Sequence, residues 1–214
     1  MFVLTDQRSI ADRFFGNLRN PLIQKNRPLF RANLSKVGAL LAFEVSKKLH
    51  YMDYEIETTL GTAKGYKLSK PPVIITILRA GLPMLDGFMN MFDDADMGFI
   101  GEQRVEKDSE EITIKREYAA LPDLTNRDVI VIDPMLATGK SMVEAVEHLS
   151  NFGSWQSLHI SSVIAAPEGV KYLNANLPFA YSLYLGTIDD GLNDDSYIVP
   201  GLGDAGDLSF GPKT

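Results

Sequence analysis

Two aliphatic runs constrain this chain more than anything else in it. VIITIL (73–78) follows Pro71 and Pro72, and VIVI (129–132) follows Arg127 and Asp128. Neither alternates apolar with polar residues. A strand that is apolar on both sides must be covered on both sides, which is the mark of a parallel sheet between two helix layers. LHISSVIAA (158–166) and AYSLYLGTI (180–188) read as two further strands. LSKVGALLAFEVSKKL (34–49), the apolar stretch after Arg79, MVEAVEHLSNF (142–152) and EGVKYLNAN (168–176) read as helices. Strands alternating with helices make βαβ units. The expected fold is therefore α/β, with a mainly parallel central sheet flanked by helices.

Local signals fill in the rest. Val37, Leu40, Leu41 and Val45 share one helical stripe, with Ser35 as a candidate cap. Glu44 falls on that stripe, where a partly buried, paired glutamate is expected. Upstream, the first thirty residues are mixed and polar, and Pro21 and Pro28 are expected to interrupt regular structure. Residues 51–66 read as extended structure with turn glycines, and MGFIGEQR (97–104) as a short strand. From Glu102 to Glu117 the chain carries 6 acidic and 4 basic residues among 16. ITIKREY within it alternates, so a hairpin flap is expected there. The 214 residues suit a single domain: an N-terminal arm and helix to about residue 66, a core sheet over about 71–188, and a tail over about 189–214.

Composition removes several functions. There are 28 acidic and 21 basic residues, a net charge of −7, which argues against general nucleic-acid binding. There is no cysteine, hence no disulfide, thiolate metal site or cysteine nucleophile. The histidines, His50, His148 and His159, are scattered along the chain, so neither a zinc site nor a Ser-His-Asp arrangement is expected. No apolar run approaches the roughly 20 residues that span a bilayer, and MFVLTDQRSI lacks the pattern of a signal peptide. A cytoplasmic protein without membrane contact is the expectation.

In parallel sheets the ligand crevice lies beyond the carboxyl ends of the strands. That rule selects the loops after Leu78 and Ile132 and the tail after Ile188. After VIVI, Asp133 closes the strand and Ala137-Thr138-Gly139-Lys140-Ser141 leads into a helix. Helix-start amides, a glycine and two hydroxyls suit a phosphate monoester. Asp133 would repel phosphate and suits ribose hydroxyls instead. TGKS resembles the end of a Walker A loop, but that motif requires glycine where Pro134 stands. Ser141 and Glu144 also satisfy a capping box, so a plain helix cap remains a competing reading.

IDPMLATGKS resembles the phosphoribosyl-pyrophosphate (PRPP) loop of type I phosphoribosyltransferases, and its DPMLATG form resembles that of the uracil phosphoribosyltransferase family. ILRAGLPMLDG around Arg79 and YIVPGLGDAGD (197–207) match the same family. AAPEG (165–169), the run from Asp189 to Asn193 and the helix containing FEVSKKL fit as well. The resemblance runs from about Asn20 to the end of the chain. It implies a pentosyltransferase that converts uracil and PRPP to UMP and diphosphate, in pyrimidine salvage.

The resemblance also implies roles. The PRPP loop, Asp133, Pro134, Met135, Leu136, Ala137, Thr138, Gly139, Lys140 and Ser141, would hold the 5-phosphate, with Asp133 on the ribose hydroxyls. Arg79 and Arg104 would meet the pyrophosphate, because the planar guanidinium fork gives charge-assisted bonds to oxygen pairs. Main-chain groups of Ile198, Gly203 and Ala205 would read uracil. Asp204 would face PRPP through hydrated Mg²⁺, making Arg79, Arg104 and Asp204 the catalytic set. A backbone-read base would exclude cytosine by setting donor against donor. The charged flap would close over the site and exclude water. The family commonly forms homodimers or larger assemblies, with 51–66 as a candidate intersubunit arm, and some members respond to GTP. Lys140, Pro83 and Leu208 depart from the family pattern, where glycine, glycine and a basic residue are usual. They motivate an alternative: a catalytically weak or inactive homologue that binds UMP or PRPP as a regulator.

Overall fold

A computed structural model describes residues 1–106 and 112–212; the side chains of 102–117 lie outside the described residues. The chain opens with β1 (Phe2–Val3), α1 (Ala11–Arg19), α2 (Pro21–Gln24) and α3 (Arg27–Ser46). A hairpin follows, β2 (Tyr51–Thr58) and β3 (Gly61–Leu68), then β4 (Val73–Leu78) and α4 (Leu82–Met89). Next come β5 (Asp96–Glu106), β6 (Ile112–Ala120), β7 (Asp128–Ile132), β8 (Met135–Leu136), α5 (Lys140–Leu149), β9 (Ser157–Ala165), α6 (Pro167–Asn176) and β10 (Ser182–Ile188). The tail forms β11 (Gly191–Leu192), β12 (Ile198–Val199) and α7 (Ala205–Phe210).

The main sheet runs β1-β10-β9-β7-β4-β5-β6, with β8 also paired to β9. Every pairing is parallel except β5 with β6. The aliphatic runs explain this burial. Ile74, Ile130 and Ile132 face the helices α3 and α4, among Leu34, Val37, Leu41, Met84 and Phe88. Val73, Ile75, Ile77, Val129 and Val131 face the other way, among Met142, Val143, Val146 and Leu149 of α5. Each such side chain taken from water contributes about 1.5–3 kcal/mol. A one-residue slip in register would exchange the two faces but bury both again, so the loops and helix contacts fix the alignment.

Several local expectations change. Pro21 and Pro28 do not interrupt structure; each sits in the first turn of a helix. A helix start has no partner for that N–H, and proline's fixed φ suits it. Asn26, not Ser35, caps α3, its side chain accepting from Leu29 N. Ser35 lies inside the helix because Asn26 starts it nine residues earlier than a Ser35 cap would. The polar opening contains α1, whose buried Ala11, Phe15 and Leu18 lie at helical spacing. Glu44 pairs with Lys47 at 2.7 Å, as expected of an edge glutamate. Residues 51–68 form a hairpin that pairs only with itself. The expected flap is the antiparallel β5–β6 pair; its tip, residues 107–111, and the Arg104 side chain lie outside the described residues.

Two of the scattered histidines converge at the opposite edge from the candidate ligand loops. Asp128 opens β7 and accepts from His50 N at 3.0 Å; its carboxylate also lies 2.7 Å from His50 Nδ1. The Ser157 hydroxyl donates to Asp128 at 2.6 Å and lies 2.7 Å from His159 Nε2. These residue types resemble a hydrolytic triad, but the serine spends its proton on the carboxylate. Burial pushes Asp128 up, yet the bonds from Ser157 and His50 outweigh it and hold the carboxyl below its usual value. Burial drives His159 down to about 4; the Asp128 charge opposes this and His50 adds to it. The group ties the start of the β2–β3 hairpin to the base of the sheet.

Candidate active site

Three neighbouring parallel strands end side by side. Thr76 of β4 is in register with Ile132 of β7, and Ile132 with Ser161 of β9. One strand further, Ala165 is in register with Ile188 of β10. The segments leaving β4, β7 and β10 therefore emerge at one edge, as the crevice rule requires.

The segment after β7 is built locally. Asp133 N donates to Ser161 O, and the segment returns to the sheet as β8, through Ile164 N to Pro134 O and Ala166 N to Leu136 O. A loop was expected over the whole of this stretch, but its carbonyls extend the β9 ladder. Gly139 then adopts φ 81° and caps α5. An added Cβ there would stand 2.7 Å from Gly169 O. Glycine is required on both counts. Because Gly139 is the cap, the Ser141–Glu144 capping box does not form. The Thr138 hydroxyl instead lies 3.4 Å from Lys140 N. A concavity of about 50 Å³ results, walled by Asp133 on one side and by Ala137, Thr138, Gly139 and Ser141 on the other. The amides of the first turn of α5, with its dipole, suit an anion there.

Arg79 follows β4 directly and joins this edge to the tail. Its Nη2 donates to Gly211 O at 3.2 Å and lies 3.4 Å from Asp207 Oδ1. Its Nε is buried with no partner among the described residues, a donor left over for a further oxygen. The tail begins with β11 and β12, Leu192 in register with Ile198. Glu168, at the start of α6, accepts from Leu192 N at 3.2 Å, while its neighbour Gly169 packs under Gly139. The N-terminus of α6 thus touches the Gly139 turn and the tail at once. Ile198 and Ala205 are buried, whereas Gly203 and Asp204 are exposed. Asp204 Oδ1 accepts from Asp207 N at 2.8 Å and caps α7.

Sequence reasoning missed what holds the tail. Arg19, Gln24 and Arg31, from α1, α2 and α3, donate to Gly201 O, Leu202 O and Ser209 O at 3.0, 2.9 and 2.7 Å. Nothing local marks these residues as functional, since each partner lies more than 170 positions away. Only Asp189, a buried carboxylate at a strand end, offered a signal.

Fold and site together define a type I phosphoribosyltransferase: a mainly parallel sheet, an amide-lined turn after a central strand, and a separate glycine-rich segment at the same edge. The profile of the uracil phosphoribosyltransferase family matches residues 7–212, and the chain belongs to that family. It is 41 % identical over 207 residues to a uracil phosphoribosyltransferase of Porphyromonas gingivalis, covering 97 % of this chain and 96 % of the relative. It is 42 % identical over 191 residues to one of Corynebacterium urealyticum, covering 89 % and 87 %. A solved structure of an Aquifex aeolicus protein superposes with a TM-score of 0.84 at 29 % identity, covering 96 % of both chains.

The departures from the family pattern fit the structure. Lys140 is the first residue of α5, with the positive φ carried by Gly139. Pro83 lies in the first turn of α4, where proline is tolerated. Leu208 packs against the core. None of the three obstructs the concavity by an observed contact.

Proposed function

We infer that the chain transfers the phosphoribosyl group of PRPP to uracil, giving UMP and diphosphate. The observation that carries this is the meeting of two unlike binding elements at one sheet edge: a phosphate turn at Thr138–Ser141 and a main-chain-lined tail, joined through Arg79 and Glu168. In this reading the turn holds the 5-phosphate and Asp133 takes the ribose hydroxyls. Arg79 and Arg104 take the diphosphate. Main-chain groups of Ile198, Gly203, Asp204 and Ala205 present donors and acceptors to the base.

The reaction then needs alignment more than acid–base chemistry. Uracil N1 bonds to ribose C1 as the bond to diphosphate breaks, the N1 proton passes to the departing diphosphate or to water, and negative charge grows on the departing oxygens. Arg79 and Arg104 stabilise that charge more in the transition state than in the ground state, which is what accelerates the step. Fixing both reactants removes an entropic barrier.

Mg²⁺ fits this donor set as a passenger of the diphosphate. Among the described residues no cluster of three or more His, Asp or Glu gathers to hold an ion alone. Asp204, exposed beside Gly203, would offer one carboxylate toward a hydrated ion. When bound, the ion neutralises charge on the diphosphate.

The β2–β3 hairpin supports a homo-oligomer. It carries exposed Tyr51, Met52, Tyr54, Ile56, Tyr66 and a fully exposed Leu60, and an isolated two-stranded hairpin is marginal in water. Packing against a second copy would bury that surface. Among the described residues, no helix is long and apolar enough to cross a membrane.

The deciding experiment supplies PRPP and Mg²⁺ with uracil, cytosine, orotate or hypoxanthine and measures nucleotide release. Product from uracil alone, lost in Arg79→Ala and Asp204→Ala, supports the reading. Binding of UMP or PRPP without turnover would replace it with a regulatory role, and unchanged rates in both variants would remove those residues from the site.

A further inference from the structure

The ion pair between Arg19 and Asp189 joins the end of α1 to the end of β10. It is bidentate, Nη1 to Oδ2 at 2.7 Å and Nη2 to Oδ1 at 2.6 Å. The Asp189 side chain is 3 % exposed and that of Arg19 28 %. Both partners also hold one peptide unit of the tail. Gly201 N donates to Asp189 Oδ2 at 2.7 Å, and Arg19 Nη1 donates to Gly201 O at 3.0 Å. Every polar backbone group of Gly201 is therefore committed to this pair.

Gly201 has no freedom to compensate. Its φ is 64°, and an added Cβ would stand 1.9 Å from Ile198 O. It lies between Ile198 and Gly203, two of the main-chain positions assigned above to the base. The next carbonyl, that of Leu202, accepts from Gln24. Burial pushes Asp189 up, but its bonds from Arg19 and Gly201, with the Arg19 charge, outweigh this and hold it below the ordinary value.

We propose that Arg19 and Asp189 are positioning residues for the pyrimidine: they clamp the Gly201 peptide and so fix the spacing of the main-chain groups that read the base. The proposal rests on the assignment of the tail to uracil. Neither residue touches the reacting atoms. Their action is on the geometry of the base site, not on the phosphate turn, which is assembled from β7, β9, α5 and α6. Removing the guanidinium leaves a buried carboxylate without its counter-charge, and the cheapest relief is to draw water in and loosen Gly201.

Steady-state kinetics on the full chain test this with Arg19→Met, Arg19→Lys and Asp189→Asn. The expected result for Arg19→Met is a rise of about tenfold or more in KM for uracil, with KM for PRPP changed by less than about twofold. Cytosine should compete better, because a loosened backbone discriminates less between donor and acceptor patterns. Arg19→Lys keeps the charge but loses the planar fork, so it should fall between wild type and Arg19→Met. Should Arg19→Met fail to fold, the lysine variant carries the test, with a melting curve to show it is native. Equal changes in both KM values, or none in any folded variant, would overturn the proposal. Failure of the wild type to use uracil would instead overturn the assignment of function.

Discussion

The turn after β7 and the glycine-rich tail face the same sheet edge but are made differently. The turn is held by elements within about 30 residues of it in sequence. From Asp133 to Ser141 it is braced by the β9 ladder, a positive-φ glycine and the start of α5. The tail has only a two-residue strand pair and one short helix of its own. Side chains from three N-terminal helices and from Arg79 hold its carbonyls. A locally built element keeps its shape when distant contacts change. One assembled from distant contacts does not. Perturbations should therefore divide between the two substrates according to which element they reach.

The largest expected effect is at the turn. Gly139→Val places a β-branched residue at φ 81° and drives its Cβ toward Gly169 O. Turnover should fall by on the order of 1000-fold, with PRPP binding lost in calorimetry. Retained PRPP affinity would break the contrast. Next is the tail counterpart, Gly201→Ala, whose methyl meets Ile198 O. Here turnover of uracil should drop about 100-fold while PRPP still binds with near wild-type affinity. Loss of both affinities together would mean that the two elements are one cooperative unit.

Much of this division was visible in the chain itself. VIITIL and VIVI state that both faces are buried, and the order of strands and helices follows from them. The turn was legible because Asp133, Thr138, Gly139 and Ser141 lie within nine residues and carry their own chemistry. β8 was not, because two residues give no periodicity. α7 was hidden by Gly206 within it and by Gly203 and Gly211 on either side; the Asp204 side chain starts it by capping Asp207 N. α1 is less legible although Phe15 and Leu18 are spaced for one face, since Asp12, Arg13, Gly16, Asn17 and Arg19 interrupt the apolar residues. Arg19, Gln24 and Arg31 had no signal: their contacts exist only after the sheet has formed.

Acid provides a perturbation remote from both elements. The unfolded His159 binds a proton near pH 6.5, whereas the buried one does so only at about 4. Between those values the unfolded state takes up more protons, so stability rises with pH and is lost as pH falls. From pH 7 to pH 5 the loss should be about 2 kcal/mol in denaturant titrations, and His159→Gln should flatten the slope. Because the group lies at the opposite edge, KM for uracil and for PRPP should move little before unfolding begins. The smallest effect is expected from Asn26→Ala, which removes the cap of α3. It should cost about 1 kcal/mol in stability. A slight rise in KM for uracil alone would follow, since α3 carries Arg31.

UMP is the natural ruler for the whole arrangement, because it holds a 5-phosphate and a pyrimidine at a fixed separation. A crystal structure of the UMP complex is predicted to show the phosphate on the amides of Thr138 to Ser141 and the ring edge on the main chain of Gly203 to Ala205 in the same molecule. Phosphate bound at the turn with the base directed into solvent, and the tail unengaged, would contradict the account.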